Sequence, residues 1–130
     1  MPVDATTLTG ATGTAAIVVT DADTAIAAGS GDLPVLATPR MVALMEQAAC
    51  AALAHALTPG ETSVGVRVDV RHTAPTPVGV VVTAVARVTE VSSARIVLEV
   101  SAEQERDGVT EPIGRGTHTR VVVDRATFLR

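Results

Sequence analysis

Residues 41–54 contain a single charged side chain, that of Glu46, in an otherwise apolar or uncharged stretch. Helical spacing places Glu46 beside Val42 and Ala49, at the edge of an apolar stripe. A carboxylate at such an edge loses water and needs a partner. It can form a structural ion pair with an arginine from a strand, or it can act as a catalytic base or nucleophile. The spacing alone leaves both alternatives open.

His72 closes an alternating segment, residues 63–72, and the alternation predicts that it points inward together with Val64, Val66, Val68 and Val70. A lone inward histidine is more often a core residue bonded to a backbone carbonyl than a catalytic group. An inward histidine together with an inward glutamate, however, can form an acid–base pair.

Thr38 precedes Pro39, which is the pattern of a helix N-cap followed by the first helical residue. The hydroxyl of Thr38 can serve only as a cap, or it can face a substrate carbonyl together with the free N–H groups of the helix start. Glu46 follows eight residues later, about 12 Å along a helix axis, so the two side chains cannot touch. Both can act on one substrate if it lies along the helix, or if a partner chain completes the pocket.

One long helix and five strands must position these residues. We predict a strand at 13–20, a helix from 39 to about 57 capped by Thr38, and strands at 63–72, 80–90, 94–103 and 113–123. Short turns between the later strands predict antiparallel pairing and a two-layer α+β domain over residues 1–130. Residues 1–12 show little pattern, and we expect them to be frayed. The helix face toward the sheet is predicted to hold Met41, Leu44, Met45, Ala48, Ala49, Ala52 and Leu53.

The composition excludes several classes of protein. The 130-residue chain is 47% hydrophobic, with one Phe and no Trp or Tyr, so its core consists of small side chains and is expected to need a partner chain. The net charge is −4 and the arginines are scattered, which argues against nucleic-acid and polybasic membrane binding. A single Cys excludes an internal disulfide and a cysteine-based zinc site. The N-terminus carries no secretory signal and no apolar run could span a bilayer, so we expect a cytoplasmic protein.

Three separated segments, LATPRMVALMEQA, VRHTAPTPVG and IGRGTHTRVVV, resemble the fluoroacetyl-CoA thioesterase family of hotdog proteins. That family has a Thr before the central helix, a Glu eight residues on, a His in an H-T-A-x-T-P-x-G segment and a G-x-G-T-H-x-R strand. The resemblance spans residues 36–123 in the same order and spacing. It implies a hotdog fold, in which a five-stranded antiparallel sheet wraps one long central helix.

The resemblance also implies roles for individual residues. Thr38, Glu46 and His72 become the catalytic set, Gly65 a substrate-contacting strand residue, and Arg120 a supporting residue of substrate binding. It implies hydrolysis of a short or medium acyl-CoA, without a metal or redox cofactor, by a homodimer with active sites at the interface. The alternatives of a dimer and of a tetramer built from two dimers both stay open. From parity, His118 and Arg120 face either solvent or a cleft.

Two other functions stay open at this point. Hotdog folds also support enoyl-CoA hydration or dehydration with a carboxylate and a histidine, and a chain of this kind can bind acyl-CoA without turnover. Residues 21–35, which should cover the acyl group, are short, rich in Ala and Gly, and lack aromatic side chains. We therefore predict an open acyl pocket that tolerates a broad range of chain lengths.

Overall fold

The computed structural model describes residues 3–130 and has one antiparallel sheet with one long helix packed on it, which confirms the predicted α+β class. The helices are α1 (Ala5–Leu8), α2 (Ala25–Ala28) and α3 (Thr38–Leu53). The strands are β1 (Thr12–Val18), β2 (Glu61–His72), β3 (Val81–Ser92), β4 (Arg95–Arg106) and β5 (Val109–Asp124). Short 3₁₀ turns lie at Asp21–Asp23 and Ala54–Ala56. None of the helices in residues 3–130 is long and apolar enough to cross a membrane.

The central helix α3 begins at Thr38 and buries the predicted stripe of apolar residues against the sheet. Its N-cap is Ala37, so the prediction that Thr38 caps the helix is wrong: Thr38 already has helical geometry, and no side chain caps this end. The helix also ends earlier than predicted, at Leu53, because the chain tightens into the 3₁₀ turn Ala54–Ala56 before it reaches Pro59.

The strands lie in the order β1-β3-β4-β5-β2, and every neighbouring pair is antiparallel. Two hairpins join β3 to β4 and β4 to β5, in agreement with the short turns predicted between the later strands. In the second hairpin Asp107 and Gly108 both have positive φ, the geometry of a tight two-residue turn. Strand β2 pairs with β5 rather than with its successor β3, because residues 73–80 contain two prolines and form a crossing loop. Strands β1 and β2 are therefore the two edges.

The core is built from small side chains that allow close approach of helix and sheet. A Cβ atom at Gly13 of β1 would overlap the backbone of α3 at Ala48 and Ala52, so glycine is required where the strand crosses the helix. Strand β4 contributes four alternating side chains to this core. Its fully or nearly fully buried side chains are those of Ile96, Leu98, Val100 and Ala102.

The N-terminal segment is more ordered than its sequence suggested. Residues 1–2 of the segment predicted to be frayed lie outside the described residues. From Val3 onward the chain forms the single turn α1, capped by the Asp4 side chain, and Leu8 is completely buried in the core. Burial of that one large apolar side chain fixes a segment whose other residues carry little pattern.

Strand β2 contains a β-bulge between Gly65 and Arg67, and Val66 is the extra residue. The bulge reverses the alternation halfway along the strand. Gly65 and Val68 both face the helix, since they pair with Arg120 and His118 of β5, whereas Val64 faces the other side of the sheet. The predicted single face from Val64 through His72 is therefore correct for only the second half of the strand.

Candidate active site

Thr38 and His72 are joined by a hydrogen bond between Oγ1 and Nδ1, 2.7 Å apart. Thr38 is the first residue of α3, and His72 is the last residue of β2. Because Thr38 is not the N-cap, its hydroxyl is not used to terminate the helix and is available to the imidazole. The arrangement is that of a weak nucleophile held against a nitrogen base.

The imidazole of His72 is half-buried, and this burial lowers its pKa below the usual 6.5, although the backbone of Ala74 partly opposes the shift. The neutral ring is therefore favoured near pH 7. Within residues 3–130, the other ring nitrogen, Nε2, is buried and has no hydrogen-bond partner of good geometry. A neutral ring whose Nδ1 accepts from the Thr38 hydroxyl can withdraw the proton of that hydroxyl.

A cavity of about 340 Å³ opens beside this pair. Thr38 and His72 form part of its wall, and the remaining wall comes from α2, the segment before α3 and the loop after β2. These wall residues are small or aliphatic: Ala25, Ser30, Val35, Leu36, Thr73, Ala74 and Pro75. The cavity thus has the size and the largely apolar lining that an acyl chain requires.

Glu46 lies on the exposed edge of α3, with 40% of its side chain accessible, and not beside Thr38 or His72. Its Oε2 atom is 3.3 Å from Nη1 of Arg120 and 3.7 Å from Nε2 of His118. The structural alternative, an ion pair with a strand arginine, is thus present. The pair occupies only Oε2, and Oε1 accepts no hydrogen bond from residues 3–130.

His118 and Arg120 are both buried, so the alternative that they face solvent is wrong. They point toward the helix from β5, the strand next to the edge strand β2, and lie beneath Glu46. The sequence carries one signal for this placement, because two polar residues separated by one position lie on the same face of a strand. His118 was not among the predicted site residues.

Arg120 is held on both edges of its guanidinium group. Nε donates to Oγ of Ser63 at 2.8 Å, and Nη2 donates to the backbone oxygen of the same residue at 3.0 Å. Nη1 donates to Oε2 of Glu46 and to Nε2 of His118. With its planar fork fixed in this way, Arg120 can contact a carboxylate in only one orientation.

Gly65 provides the space that this arrangement needs. A Cβ atom at residue 65 would lie 2.5 Å from Oε2 of Glu46, 3.1 Å from Cε1 of His118 and 3.2 Å from Nη1 of Arg120. The glycine predicted to contact substrate is therefore in direct contact with the predicted catalytic carboxylate.

The five predicted site residues thus form two groups. Thr38 and His72 lie at the start of α3, whereas Glu46, Gly65 and Arg120 lie two turns further along the helix. In residues 3–130 no group of three or more His, Cys, Asp or Glu side chains is arranged to hold a metal ion.

Comparisons with known proteins agree with this architecture. The sequence model of the family described as fluoroacetyl-CoA-specific thioesterase matches residues 19–126. A fluoroacetyl-CoA thioesterase of Streptantibioticus cattleyicolor is 47% identical over 94 residues, which cover 72% of this chain and 65% of the relative.

Solved structures give similar results. A variant of the fluoroacetyl-CoA thioesterase FlK in complex with acetyl-CoA is 37% identical, with a TM-score of 0.83 over 93% of this chain and 92% of the other. A hot-dog-like protein from Thermanaerovibrio acidaminovorans is 30% identical, with a TM-score of 0.81 over 95% and 90% of the two chains. The predicted hotdog fold is confirmed by these similarities.

Proposed function

We propose that this chain, which belongs to the family of fluoroacetyl-CoA-specific thioesterases, hydrolyses short or medium acyl-CoA thioesters to the free acid and CoA. The observation that carries the proposal is the 2.7 Å contact between Thr38 and His72 beside a largely apolar cavity. A hydroxyl nucleophile, a neutral base and space for an acyl chain are the components that acyl transfer requires.

In the proposed reaction, the Oγ1 atom of Thr38 attacks the thioester carbonyl carbon while Nδ1 of His72 takes the hydroxyl proton. The C–S bond then breaks, and the proton passes to the departing thiolate, a good leaving group because thiols have a pKa near 8.5. Glu46 of the partner subunit then takes a proton from water at Oε1, and the water oxygen attacks the acyl carbon of the ester. The C–Oγ1 bond breaks and the proton passes to Oγ1, which releases the acid and restores the Thr38 hydroxyl. No metal or redox cofactor takes part in these steps.

The backbone at the start of α3 supports one further part of the proposal. The N–H groups of Ala37, Arg40 and Met41 already donate to backbone oxygens, and Pro39 has none. In residues 37–41 this leaves the N–H of Thr38 without a partner within the described chain. We expect it to bind the thioester oxygen as negative charge develops there.

A homodimer with composite active sites explains why the predicted residues form two groups. Thr38 and Glu46 lie about 12 Å apart along α3, too far for both to act on one carbonyl. The edge strand β2 runs for 12 residues between the two groups and exposes Val66 by 50% and Val68 by 42%. Such an edge favours pairing with a second copy, which would bring a partner carboxylate to the Thr38–His72 pair.

Mixed dimers test this part of the proposal. Thr38→Ala and Glu46→Gln chains should each be nearly inactive alone. Co-expressed in equal amounts they should recover about a quarter of the parent rate, because half the dimers are mixed and one of their two sites is intact. No recovery in dimers shown to be mixed would place both groups in the site of one protomer. A monomer mass by light scattering at micromolar concentration would contradict the dimer itself.

The overall reaction is tested with a panel of acyl-CoAs of increasing chain length and a chromogenic disulfide that detects released thiol. We expect thiol release for several chain lengths, because the cavity wall has no Phe, Tyr or Trp side chain. A change in enoyl absorbance without thiol release would indicate hydration, and tight binding without either would indicate a binding module. Rejection of chains longer than two carbons by about a hundredfold would contradict the predicted breadth.

Three finer predictions from the sequence stay predictions. They are the cytoplasmic location, assembly as a dimer or as a tetramer of such dimers, and contact of Gly65 and Arg120 with the substrate. Mass spectrometry of an acyl-enzyme would test the covalent step. The expected acyl group is on Thr38, and an adduct on Glu46 would contradict it.

A further inference from the structure

The buried ring of His118 makes two hydrogen bonds that together define its hydrogen positions. Nδ1 lies 2.8 Å from the backbone oxygen of Arg67, and a carbonyl oxygen can only accept, so Nδ1 carries the hydrogen. Nε2 lies 3.1 Å from Nη1 of Arg120, which can only donate, so Nε2 must be the bare nitrogen. One neutral tautomer satisfies both contacts.

The doubly protonated ring does not fit this site. It would turn a second N–H toward the N–H donor of Arg120 and place two positive charges 3.1 Å apart, with 1% of the histidine side chain exposed. The partial attraction of Glu46 Oε2, 3.7 Å from Nε2, is shared with the closer guanidinium group. The surroundings therefore select a hydrogen-bond acceptor at Nε2, and this acceptor contacts Nη1 of Arg120.

The bond from His118 acts on Glu46 through Arg120. The same nitrogen, Nη1, contacts both His118 Nε2 and Glu46 Oε2, while Ser63 holds the opposite edge of the guanidinium group. Without the acceptor at His118, Nη1 loses one of its two partners, and the carboxylate bonded to it loses its fixed position. The carboxylate of Glu46 is partly exposed, and no other group in residues 3–130 hydrogen-bonds to it.

We propose that His118 is a positioning residue, which, as the neutral Nδ1–H tautomer anchored on the β2 bulge, holds Arg120 so that Glu46 presents Oε1 to the reacting centre. This role rests on the proposed thioesterase function. It links the bulge to catalysis, because the Arg67 carbonyl that receives the His118 hydrogen bond borders the irregularity between Gly65 and Arg67.

The first test needs no substrate. The chain has three histidines, so long-range ¹H–¹⁵N spectra of the dimer should resolve all three rings, and a His118→Gln spectrum assigns the one that matters. We expect a protonated Nδ1 and a bare Nε2 at neutral pH. A hydrogen on Nε2, in either the other tautomer or the charged ring, would overturn the inference.

The second test uses two variants that each keep one of the two hydrogen bonds. His118→Asn can still donate to the Arg67 carbonyl but has no atom near Arg120, whereas His118→Gln can place an amide oxygen near Arg120 but loses the bond to Arg67. We expect kcat of the Asn variant to fall about 10- to 100-fold with KM nearly unchanged, and the Gln variant to recover part of that loss. His55→Asn, at an exposed histidine, is the matched control.

The outcomes separate this inference from the proposed function. A folded His118→Asn enzyme with the parent kcat, or equal losses of stability and activity in both variants, would overturn the positioning role and leave thioesterase activity intact. A parent protein that releases no thiol from any acyl-CoA would overturn both. The tautomer measurement decides the matter even when a variant does not fold.

Discussion

The Oγ1 atom of Thr38 lies 2.7 Å from Nδ1 of His72, and this contact joins the first residue of the central helix to the last residue of an edge strand. The two residues are 34 positions apart in the chain. Any change that moves the end of β2 relative to the start of α3 therefore acts directly on the proposed nucleophile.

Removal of the Thr38 hydroxyl should reduce activity much more than stability. Thr38→Ala should lower kcat by about 10²-fold or more, the scale of losing an activated nucleophile or its base. Its melting temperature should change little, because the hydroxyl does not cap the helix. Thr38→Ser keeps the hydroxyl and should be mild. Thiol release and thermal unfolding measure both effects, and an active Thr38→Ala enzyme would exclude Thr38 as the nucleophile.

The pH dependence of activity should reflect His72. Because burial lowers the pKa of His72 below 6.5, the neutral base persists into mildly acidic solution. The acid limb of the pH profile of kcat/KM should therefore lie below pH 6.5. The residual activity of His72→Ala should show no such limb. A limb centred above pH 6.5 would contradict this assignment.

The same histidine should affect stability as pH falls. When the folded pKa lies below the unfolded one, the unfolded chain binds more protons between the two values. The free energy of unfolding should thus fall as pH drops from about 6.5 through the lower pKa of the folded state. Denaturant titrations at several pH values should show that the free energy of unfolding of His72→Gln depends less steeply on pH than that of the parent chain.

Glu46→Gln separates a catalytic from a structural carboxylate. The amide oxygen can still accept from Arg120, which also keeps its bonds to Ser63 and His118. Since partly exposed ion pairs contribute about 0–1 kcal/mol, the melting temperature should stay nearly level. Turnover should fall by about 10²-fold or more. Glu99→Gln, which breaks an exposed pair with Arg87, is the control. An early-melting Glu46→Gln enzyme with the parent rate would leave Glu46 a purely structural role.

Gly65→Ala should displace the carboxylate. The added methyl group would lie 2.5 Å from Oε2 of Glu46, and the flexible end of that side chain must move. We expect kcat to fall about tenfold or more with a smaller effect on unfolding. Gly60→Ala adds the same methyl group where nothing lies within 4 Å, and it should be silent. Equal kinetics in the two variants would show that the position of Oε2 is unimportant.

The sequence by itself determined the long helix, the five strands and the face of the helix that is buried. Every residue predicted for the apolar stripe, from Met41 to Leu53, is buried, because a 3.6-residue period can meet a sheet in only one orientation. The hairpin between β4 and β5 was also determined locally, since Asp107 and Gly108 accept the positive φ that a tight turn requires. The three separated motifs identified Thr38, Glu46 and His72 as the predicted catalytic set. They did not predict which of these residues lie close together in space.

Only the tertiary structure decided that grouping. The bulge at Val66 reversed the face of Gly65, and it arises from pairing with β5, a strand some fifty residues away in the chain. That pairing buried His118 and Arg120 beneath Glu46. The packing of the end of β2 beside the start of α3 placed the Thr38 hydroxyl within hydrogen-bond distance of His72. Local spacing fixes which residues share a face of one element, whereas the register between elements fixes which side chains meet.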